Sequence, residues 1–228
     1  MPALAILGTG TGVGKTAITL ALAEGLRALG ARVWIHKPVA CGGWDGRRAE
    51  DARRLGAALG DGQPEGSLCP RQHAEACSPH LAAAAAGMAA PTLAELRAAL
   101  PHPPDAATWL LVEGAGGVAT PLTVDRRDQV DLVVALRLPV LLVTHRGLGT
   151  LSSTVTAAWY CRTRGAAILG LVANDAQPMD EAERAVRTAE SELAGLTGLP
   201  VLAGCRHRRI AALPLAAAVR ARLLAGPP

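Results

Sequence analysis

A glycine-rich loop between an apolar segment and a helical segment restricts the fold of this 228-residue chain more than any other feature. The loop runs from Gly8 to Thr16 and ends in Gly-Lys-Thr. Glycines let consecutive backbone N–H groups turn inward around a phosphate, and the following helix adds the positive end of its dipole. The pattern is typical of a nucleotide-binding P-loop, in which Lys15 contacts phosphates and the Thr16 hydroxyl binds Mg²⁺. The alternative is a glycine turn without a ligand.

The rest of the chain alternates between short apolar runs and stretches rich in Ala, Leu and Arg. Strands are predicted at 3–8, 32–36, 108–113, 139–144, 167–173 and 200–203. Helices are predicted at 15–29, 48–59, 79–100 with a break at Pro91, 126–136, 151–164, 179–195 and 211–224, with loops at 60–80 and 101–107. Apolar runs without alternation are typical of parallel strands covered by helices on both faces. We therefore predict an α/β fold in a single domain over 1–228, with a doubly wound, mainly parallel sheet and a P-loop.

The composition excludes several classes of partner. The net charge is only +4 and the chain has one Tyr and no Phe, which disfavours nucleic-acid binding. The apolar segments are too short or too interrupted to predict a membrane span. Five cysteines without a Cys-x-x-Cys pair predict free thiols in a reducing compartment, and hence a cytoplasmic protein.

Lysine is almost absent, since only Lys15 and Lys37 stand among the 23 basic residues. Lysine supplies a compact ammonium on a flexible stem, which the planar guanidinium of arginine does not. Lys37 follows the predicted strand 32–36, whose carboxyl end points toward the same edge of the sheet as the P-loop. We therefore expect both lysines to face one bound phosphate group; the alternative for Lys37 is a solvated charge in a loop.

Two further strand ends carry polar residues suited to a nucleotide. Glu113 ends the strand 108–113 and precedes glycines, which is a typical position for an acid that holds Mg²⁺. Asp51 is a second candidate for the metal, although it is equally explained as a partner of a helix dipole. Asn174 ends another strand, and its amide donates and accepts hydrogen bonds, as the edge of a nucleobase requires. The alternative is an asparagine in an ordinary turn after a strand.

Two other groups of residues are left open by the pattern. His145 and Arg146, at the tip of strand 139–144, face either a substrate or solvent. Four residues within twelve positions have a spacing that suits zinc, but they lack the usual Cys-x-x-Cys pair and are equally explained as loop residues: Cys69, His73, Cys77 and His80.

Taken together, these motifs resemble those of the dethiobiotin synthetase family in their order and spacing. The matching segments are 8–16, 37–40, 78–80, 112–117, 148–151 and 172–175. The resemblance covers most of the chain and weakens after residue 200. It implies an ATP-dependent ligase of biotin biosynthesis that forms the ureido ring of dethiobiotin from 7,8-diaminononanoate and CO₂, through a carbamate and a carbamic–phosphoric anhydride.

The resemblance also implies a role for individual residues. The catalytic residues would be Lys37, Lys15 and Thr11. The nucleotide-binding residues would be Gly12, Val13, Gly14, Lys15, Thr16, Ala17, Asp51, Glu113, Gly114, Ala115, Gly116, Asn174 and Asp175. Mg²⁺ would be held by Thr16, Asp51 and Glu113. The substrate would contact Cys41 and, across a homodimer interface, Thr150, Leu151 and Ser152 of the other subunit.

The chain departs from the family pattern at several positions. Glycines stand at positions 10 and 12 where many members have acids, Cys41 replaces a common serine, and Ser152-Ser153 replaces Asn-His. The segment 204–207 differs from the usual Gly-Glu-Ile-Pro, which leaves the nucleotide preference open. The alternative functions are an amidoligase-type ATPase domain, a regulatory nucleotide-binding module without catalysis, and a partitioning-type ATPase switch, whose signature lysine would stand at position 10.

Overall fold

The computed structural model describes residues 1–60 and 62–225; position 61 and positions 226–228, which the predicted domain includes, lie outside them. The strands are β1 (Ala3–Gly8), β2 (Val33–His36), β3 (Val39–Cys41), β4 (Arg71–His73), β5 (Trp109–Glu113), β6 (Val140–Thr144), β7 (Ile168–Asn174) and β8 (Val201–Cys205). The helices are α1 (Lys15–Ala28), α2 (Glu50–Gly56), α3 (Pro79–Ala85), α4 (Leu93–Ala98), α5 (Gln129–Leu136), α6 (Thr150–Thr163), α7 (Arg184–Thr197) and α8 (Ala212–Ala225), and a 3₁₀ turn spans Glu65–Ser67.

Six strands form one sheet in the order β2-β5-β1-β6-β7-β8, and every neighbouring pair is parallel. The predicted α/β fold with a mainly parallel sheet is therefore confirmed. The carboxyl ends of β1, β2, β5 and β7 lie at one edge, which is where a parallel sheet binds its ligands. In the described ranges, no helix is both long and apolar enough to cross a membrane.

The sheet is buried on both faces, as its continuous apolar strands predict. In β1, Leu4 and Ile6 pack with Ile18 and Leu22 of α1 on one face. Ala5 and Leu7 of the same strand belong to the cluster on the other face, together with residues of α5 and α6. Each fully buried aliphatic side chain of this kind contributes about 1.5–3 kcal/mol relative to an exposed one.

Helices α1 and α8 pack closely because a glycine lies between them. A Cβ atom on Gly25 of α1 would lie 2.1 Å from the carbonyl oxygen of Ala212 and 2.8 Å from the Cβ of Ala216. The absence of a side chain at Gly25 therefore sets the distance between the two helices.

The structure differs from the sequence prediction in two main places. The predicted loop 60–80 contains the 3₁₀ turn and β4, and β4 pairs with β3 in a separate two-stranded parallel sheet. The predicted helix 79–100 is two helices, α3 and α4. Gly87 has a φ of +67° after α3, and Thr92 caps α4 through a capping box with Glu95.

Three predicted helix starts also shift, one of them at a side-chain cap. The predicted helix 126–136 begins only at Gln129, because the Asp128 carboxylate accepts hydrogen bonds from the backbone N–H groups of Val130 and Asp131. The predicted helix 179–195 begins at Arg184, and the predicted helix 48–59 is the shorter α2.

Candidate active site

The glycine-rich loop connects β1 to α1, as predicted. Gly12 and Gly14 have φ angles of +77° and +91°, in the left-handed region that favours glycine. A Cβ atom on Gly14 would lie 2.1 Å from Nδ2 of Asn174, whereas one on Gly12 would meet no atom within 4 Å. Gly14 is therefore required both by its backbone and by a neighbour on β7.

Lys15 lies beneath this loop, at the start of α1. Its Nζ donates to the carbonyl oxygen of Gly116 at 2.7 Å and to that of Gly10 at 3.1 Å. Burial, and next the positive charge of Lys37, lower the pKa of Lys15 to about 8. The two lysines are thus close enough to repel each other, as expected if both serve one phosphate site.

Lys37 lies in the turn between β2 and β3 and is almost completely buried. Its Nζ is 2.6 Å from Oε1 of Glu113, 2.9 Å from Oδ2 of Asp51 and 3.3 Å from the carbonyl oxygen of Gly114. Burial alone would lower the pKa of Lys37, but the two carboxylates outweigh it and raise the pKa. Lys37 is therefore a fixed ammonium at neutral pH.

Thr16, Asp51 and Glu113 place oxygen atoms around one point. Oγ1 of Thr16 is 2.7 Å from Oε1 of Glu113 and 2.9 Å from Oδ1 of Asp51. One hydroxyl proton cannot be donated to both carboxylates at once. Oε2 of Glu113 is buried and receives no hydrogen bond from the described residues. This surplus of acceptors and the hard oxygen donors suit Mg²⁺.

The pKa of Asp51 also depends on the neighbouring charges of the site. Burial would raise the pKa of this carboxyl, but Lys37, by its charge and its hydrogen bond, outweighs burial and lowers the pKa. Asp51 is therefore ionised at neutral pH, as a metal ligand must be. Of its two alternative explanations from the sequence, the contacts with Thr16 and Lys37 favour the site.

The zinc alternative finds no support in the described residues. No group of three or more His, Cys, Asp or Glu in residues 1–60 and 62–225 is arranged to hold a metal ion. Cys69 instead donates weakly to the carbonyl oxygen of Arg71.

Cys41 and Cys77 both line the cleft that is described next. Burial, with a smaller effect of Cys77, raises the pKa of the Cys41 thiol to about 11. Cys41 is therefore a neutral thiol.

A cleft of about 700 Å³ contains most of the predicted site. The predicted residues that line it are Thr11, Gly12, Gly14, Lys15, Thr16, Ala17, Lys37, Cys41, Asp51, Ala115, Gly116, Asn174 and Asp175. Val13, Glu113 and Gly114 lie behind this lining. Residues that the sequence reasoning did not assign also line the cleft: Arg54, Ala76, Cys77, Ser78, Pro79, Thr120, Ala176, His207, Arg208 and Ile210. Of these, only Ser78 and Pro79 stand in a segment that matches the family pattern.

Asn174 joins β7 to the glycine-rich loop. Its Nδ2 donates to the carbonyl oxygen of Val13 at 2.9 Å. His207, after β8, lies next to it, with its ring Nδ1 3.4 Å from the carbonyl oxygen of Asp175. The ends of β7 and β8 therefore form a wall of the cleft that adjoins the P-loop.

Arg146 faces neither a substrate nor solvent, so both alternatives raised from the sequence are wrong. Its side chain is 1% exposed and makes two hydrogen bonds with the buried carboxylate of Asp175. A second carboxylate, that of Glu181, lies 2.5 Å from the same guanidinium. Sequence spacing could not show these contacts, because 29 and 35 residues separate the partners.

The start of α6 does not line the cleft. The hydroxyl of Thr150 donates to the carbonyl oxygen of His145 at 2.5 Å, Leu151 is half-buried and Ser152 is exposed. Farther along the same helix, Trp159 is 65% exposed, which is unusual for so large an apolar side chain. The predicted contacts of 150–152 with substrate therefore do not arise within one chain.

The chain is similar to several known proteins. A family model described as an AAA domain matches residues 3–209. The ATP-dependent dethiobiotin synthetase BioD of Caulobacter sp. (strain K31) is 39% identical over 201 residues, which cover 82% of this chain and 83% of that protein. Its counterpart from Anaeromyxobacter dehalogenans (strain 2CP-C) is 37% identical over 83% of this chain and 84% of that protein. A solved ParA family ATPase from Chlorobium tepidum TLS covers 99% of this chain and 91% of its own, with a TM-score of 0.48 and 14% identity.

Proposed function

The chain belongs to the dethiobiotin synthetase family of ATP-dependent ligases, and on that premise we propose that it joins 7,8-diaminononanoate and CO₂ into the ureido ring of dethiobiotin. One observation carries the proposal. Lys15 and Lys37, on separate elements, both line one cleft and both contact the backbone that follows β5. Two ammonium groups in one cleft suit a reaction that brings several anionic oxygens close together.

The phosphates of ATP are proposed to lie in the glycine-rich loop. The backbone N–H groups of residues 12–17 and the start of α1 favour an anion there. Lys15 now donates to two carbonyl oxygens, Gly10 and Gly116, and phosphate oxygens would offer it stronger, charged acceptors. Asn174, held against Val13 and lining the cleft, would contact the base.

The residues fit a magnesium ion. Thr16, Asp51 and Glu113 would hold it, directly or through water, and the unpartnered Oε2 of Glu113 is the observation that supports this assignment. Two carboxylates suffice, because Mg²⁺ usually completes its shell with phosphate oxygens and water. When bound, the ion would supply positive charge beside the β- and γ-phosphates.

The proposed reaction needs charge stabilisation more than proton transfer. An amine of the substrate takes up CO₂ as a carbamate, and a carbamate oxygen attacks the γ-phosphorus, releasing ADP and giving a carbamic–phosphoric anhydride. The second amine attacks the carbonyl carbon and expels phosphate. Lys37, which stays protonated, would stabilise the carbamate and the transferring phosphoryl group. Thr11 and Cys41, which line the cleft, would contact the reacting end of the substrate.

A homodimer is proposed to complete the diamine site. Thr150, Leu151 and Ser152 lie at the start of α6, where backbone N–H groups favour a carboxylate, but they do not line the cleft of their own chain. Leu148, Val155 and Trp159 are exposed on or beside this helix. A second copy packed on this face would cover these apolar side chains and bring its own α6 toward the cleft.

A cytoplasmic location is also proposed. All five cysteines are free thiols, and Cys69, Cys161 and Cys205 are buried, as in proteins that fold under reducing conditions.

Product formation tests the proposed function. Purified protein is incubated with 7,8-diaminononanoate, bicarbonate, Mg²⁺ and ATP, and dethiobiotin and phosphate are quantified. Lys37→Ala is expected to abolish turnover while nucleotide still binds, because Lys37 is not part of the glycine-rich loop. Full turnover by Lys37→Ala would remove Lys37 from the mechanism, and absence of dethiobiotin with the unmodified protein would refute the assigned reaction.

Mixing two inactive variants tests the shared site. A chain with Lys37→Ala lacks the charge in its own cleft, and a chain with Ser152→Trp has a blocked α6 start. If each site uses one cleft and the partner's α6, co-refolded mixtures recover activity, because mixed dimers contain one intact site. If no activity returns although mixed dimers form, the site lies within one chain. Leu148→Lys serves as the control for dimerisation, because it places a charge on an exposed side chain of the proposed dimer face. Light scattering measures whether this variant forms dimers.

A further inference from the structure

Asp175 has a carboxylate that its position would allow to contact a bound nucleotide. It follows Asn174 directly at the end of β7 and lines the cleft with Ala176 and His207. Among the described residues that line this cleft, Asp51 and Asp175 are the acidic ones. Asp51 belongs to the phosphate site with Thr16 and Lys37. Asp175 is therefore the acidic residue that lines the cleft outside the phosphate site.

The carboxylate of Asp175 is already occupied. Nε of Arg146 donates to Oδ1 at 2.9 Å, and Nη2 of the same guanidinium donates to Oδ2. Both side chains are buried, with exposures of 1% and 2%. In this two-bond arrangement Arg146 takes up both oxygens of the carboxylate, which is buried although Asp175 lines the cleft.

Guanine and adenine differ in the hydrogen bonds that they can form with a free carboxylate. Guanine presents two neighbouring donors, N1–H and N2–H₂, which match the two oxygens of a free carboxylate, whereas adenine has an acceptor at N1 and no group at position 2. A free aspartate beside Asn174 would therefore favour guanine, because adenine offers one donor, N6–H₂, and its N1 acceptor repels the second carboxylate oxygen. A paired aspartate has no such preference.

We propose that Arg146 sets the base selectivity of the nucleotide site by withholding the Asp175 carboxylate from the bound base. Arg146 is a positioning residue in this proposal, since it acts through Asp175 and not on the nucleotide. The inference rests on the proposed binding of a nucleotide in this cleft. It gives a role to this charged pair, since a buried ion pair commonly adds little net stability compared with apolar side chains.

The surrounding charges allow the two partners to be changed separately. Arg146 also contacts Glu181 at 2.5 Å and lies 4.0 Å from Glu190, so its charge stays compensated when Asp175 is replaced. Glu181 is half exposed and pairs with Arg206 as well. Glu181→Gln therefore removes one partner of Arg146 and leaves its pair with Asp175 intact, which makes it the matched control.

The main experiment compares kcat/KM with ATP and with GTP in dethiobiotin synthesis. In Arg146→Met, the freed carboxylate is expected to raise the GTP-to-ATP ratio by about tenfold or more, the usual effect of one hydrogen bond to a charged group. The double variant Arg146→Met/Asp175→Asn is expected to lose this gain, and Glu181→Gln to keep the original ratio. A ratio in Arg146→Met within about twofold of the original, or an equal gain in the double variant, would overturn the proposal.

A second variant covers the case in which Arg146→Met does not fold. Asp175→Asn in the otherwise unchanged chain is expected to leave the GTP-to-ATP ratio within about twofold, whatever happens to the two rates together. A tenfold fall in the ratio would show that the carboxylate contacts the base and would overturn the proposal. Affinities for ADP and GDP, measured by calorimetry, give the same ratio without product formation, so a failure of the proposed reaction is distinguished from a failure of this inference.

Discussion

Substituting alanine for Gly14 tests the link between the glycine-rich loop and β7. At a φ of +91°, a Cβ atom costs about 1–2 kcal/mol in backbone strain. The same Cβ atom would lie 2.1 Å from Nδ2 of Asn174 and must displace it from the carbonyl oxygen of Val13. Loss of that hydrogen bond adds about 1 kcal/mol. We therefore expect Gly14→Ala to lower the free energy of unfolding by about 2–3 kcal/mol.

Alanine substitutions at two neighbouring glycines distinguish the cost of backbone strain from the cost of the collision with Asn174. Gly12 also has a left-handed φ, +77°, but a Cβ atom there meets no atom within 4 Å, so Gly12→Ala should lose only the strain. Gly10 lacks a left-handed φ and is equally open, so Gly10→Ala should change stability by less than about 0.5 kcal/mol.

Urea unfolding of the three variants measures these differences. In an Asn174→Ala background, Gly14→Ala should cost about 1 kcal/mol less than it does in the original chain, because the colliding amide is gone. Equal losses in Gly12→Ala and Gly14→Ala, or no coupling with Asn174→Ala, would refute the packing of the loop against Asn174.

Three further outcomes are expected. Nucleotide affinity, measured by calorimetry, should fall above pH 8 as Lys15 loses its proton, because burial lowers its pKa to about 8; a constant affinity up to pH 10 would contradict this. Burial also lowers the pKa of His36 from 6.5 to about 4, so the unfolded chain binds the proton first as the pH falls. Stability should therefore be fully present above pH 6.5 and decline toward pH 4, and His36→Gln should flatten that part of a denaturation profile. Gly25→Ala should lower the melting temperature by several degrees despite the better helix propensity of alanine, because its Cβ collides with Ala212; an unchanged melting temperature would show that α1 and α8 can separate freely.

The sheet and the phosphate site could be predicted because their signals are local. Continuous apolar runs end in Glu113 and Asn174, and the glycine-rich loop lies between β1 and α1. The grouping of Lys37 with Lys15 was also predicted, since parallel strands end at one edge. The contact of Glu113 with Lys37 follows from that same edge, whereas Asp51 lies on α2 and its contact with Lys37 depends on the tertiary structure.

Other features could not be predicted because no local pattern encodes them. The strands β3 and β4 have three residues each, too few to show a period, and their pairing joins segments some thirty positions apart. The buried pair of Arg146 and Asp175 depends on the neighbouring positions of β6 and β7. An arginine at a strand tip is more often exposed, so only the tertiary structure shows that it is enclosed by carboxylates.

The strand order has a consequence for how the chain assembles as it leaves the ribosome. β1 is made first, yet its two partners are β5 and β6, which end at Glu113 and Thr144. The earliest strand therefore stays apolar and unpaired until about half of the polypeptide has been synthesised. Such distant pairings slow folding and leave an aggregation-prone segment open in the meantime. Newly made chains should accordingly depend on chaperones until translation passes β6.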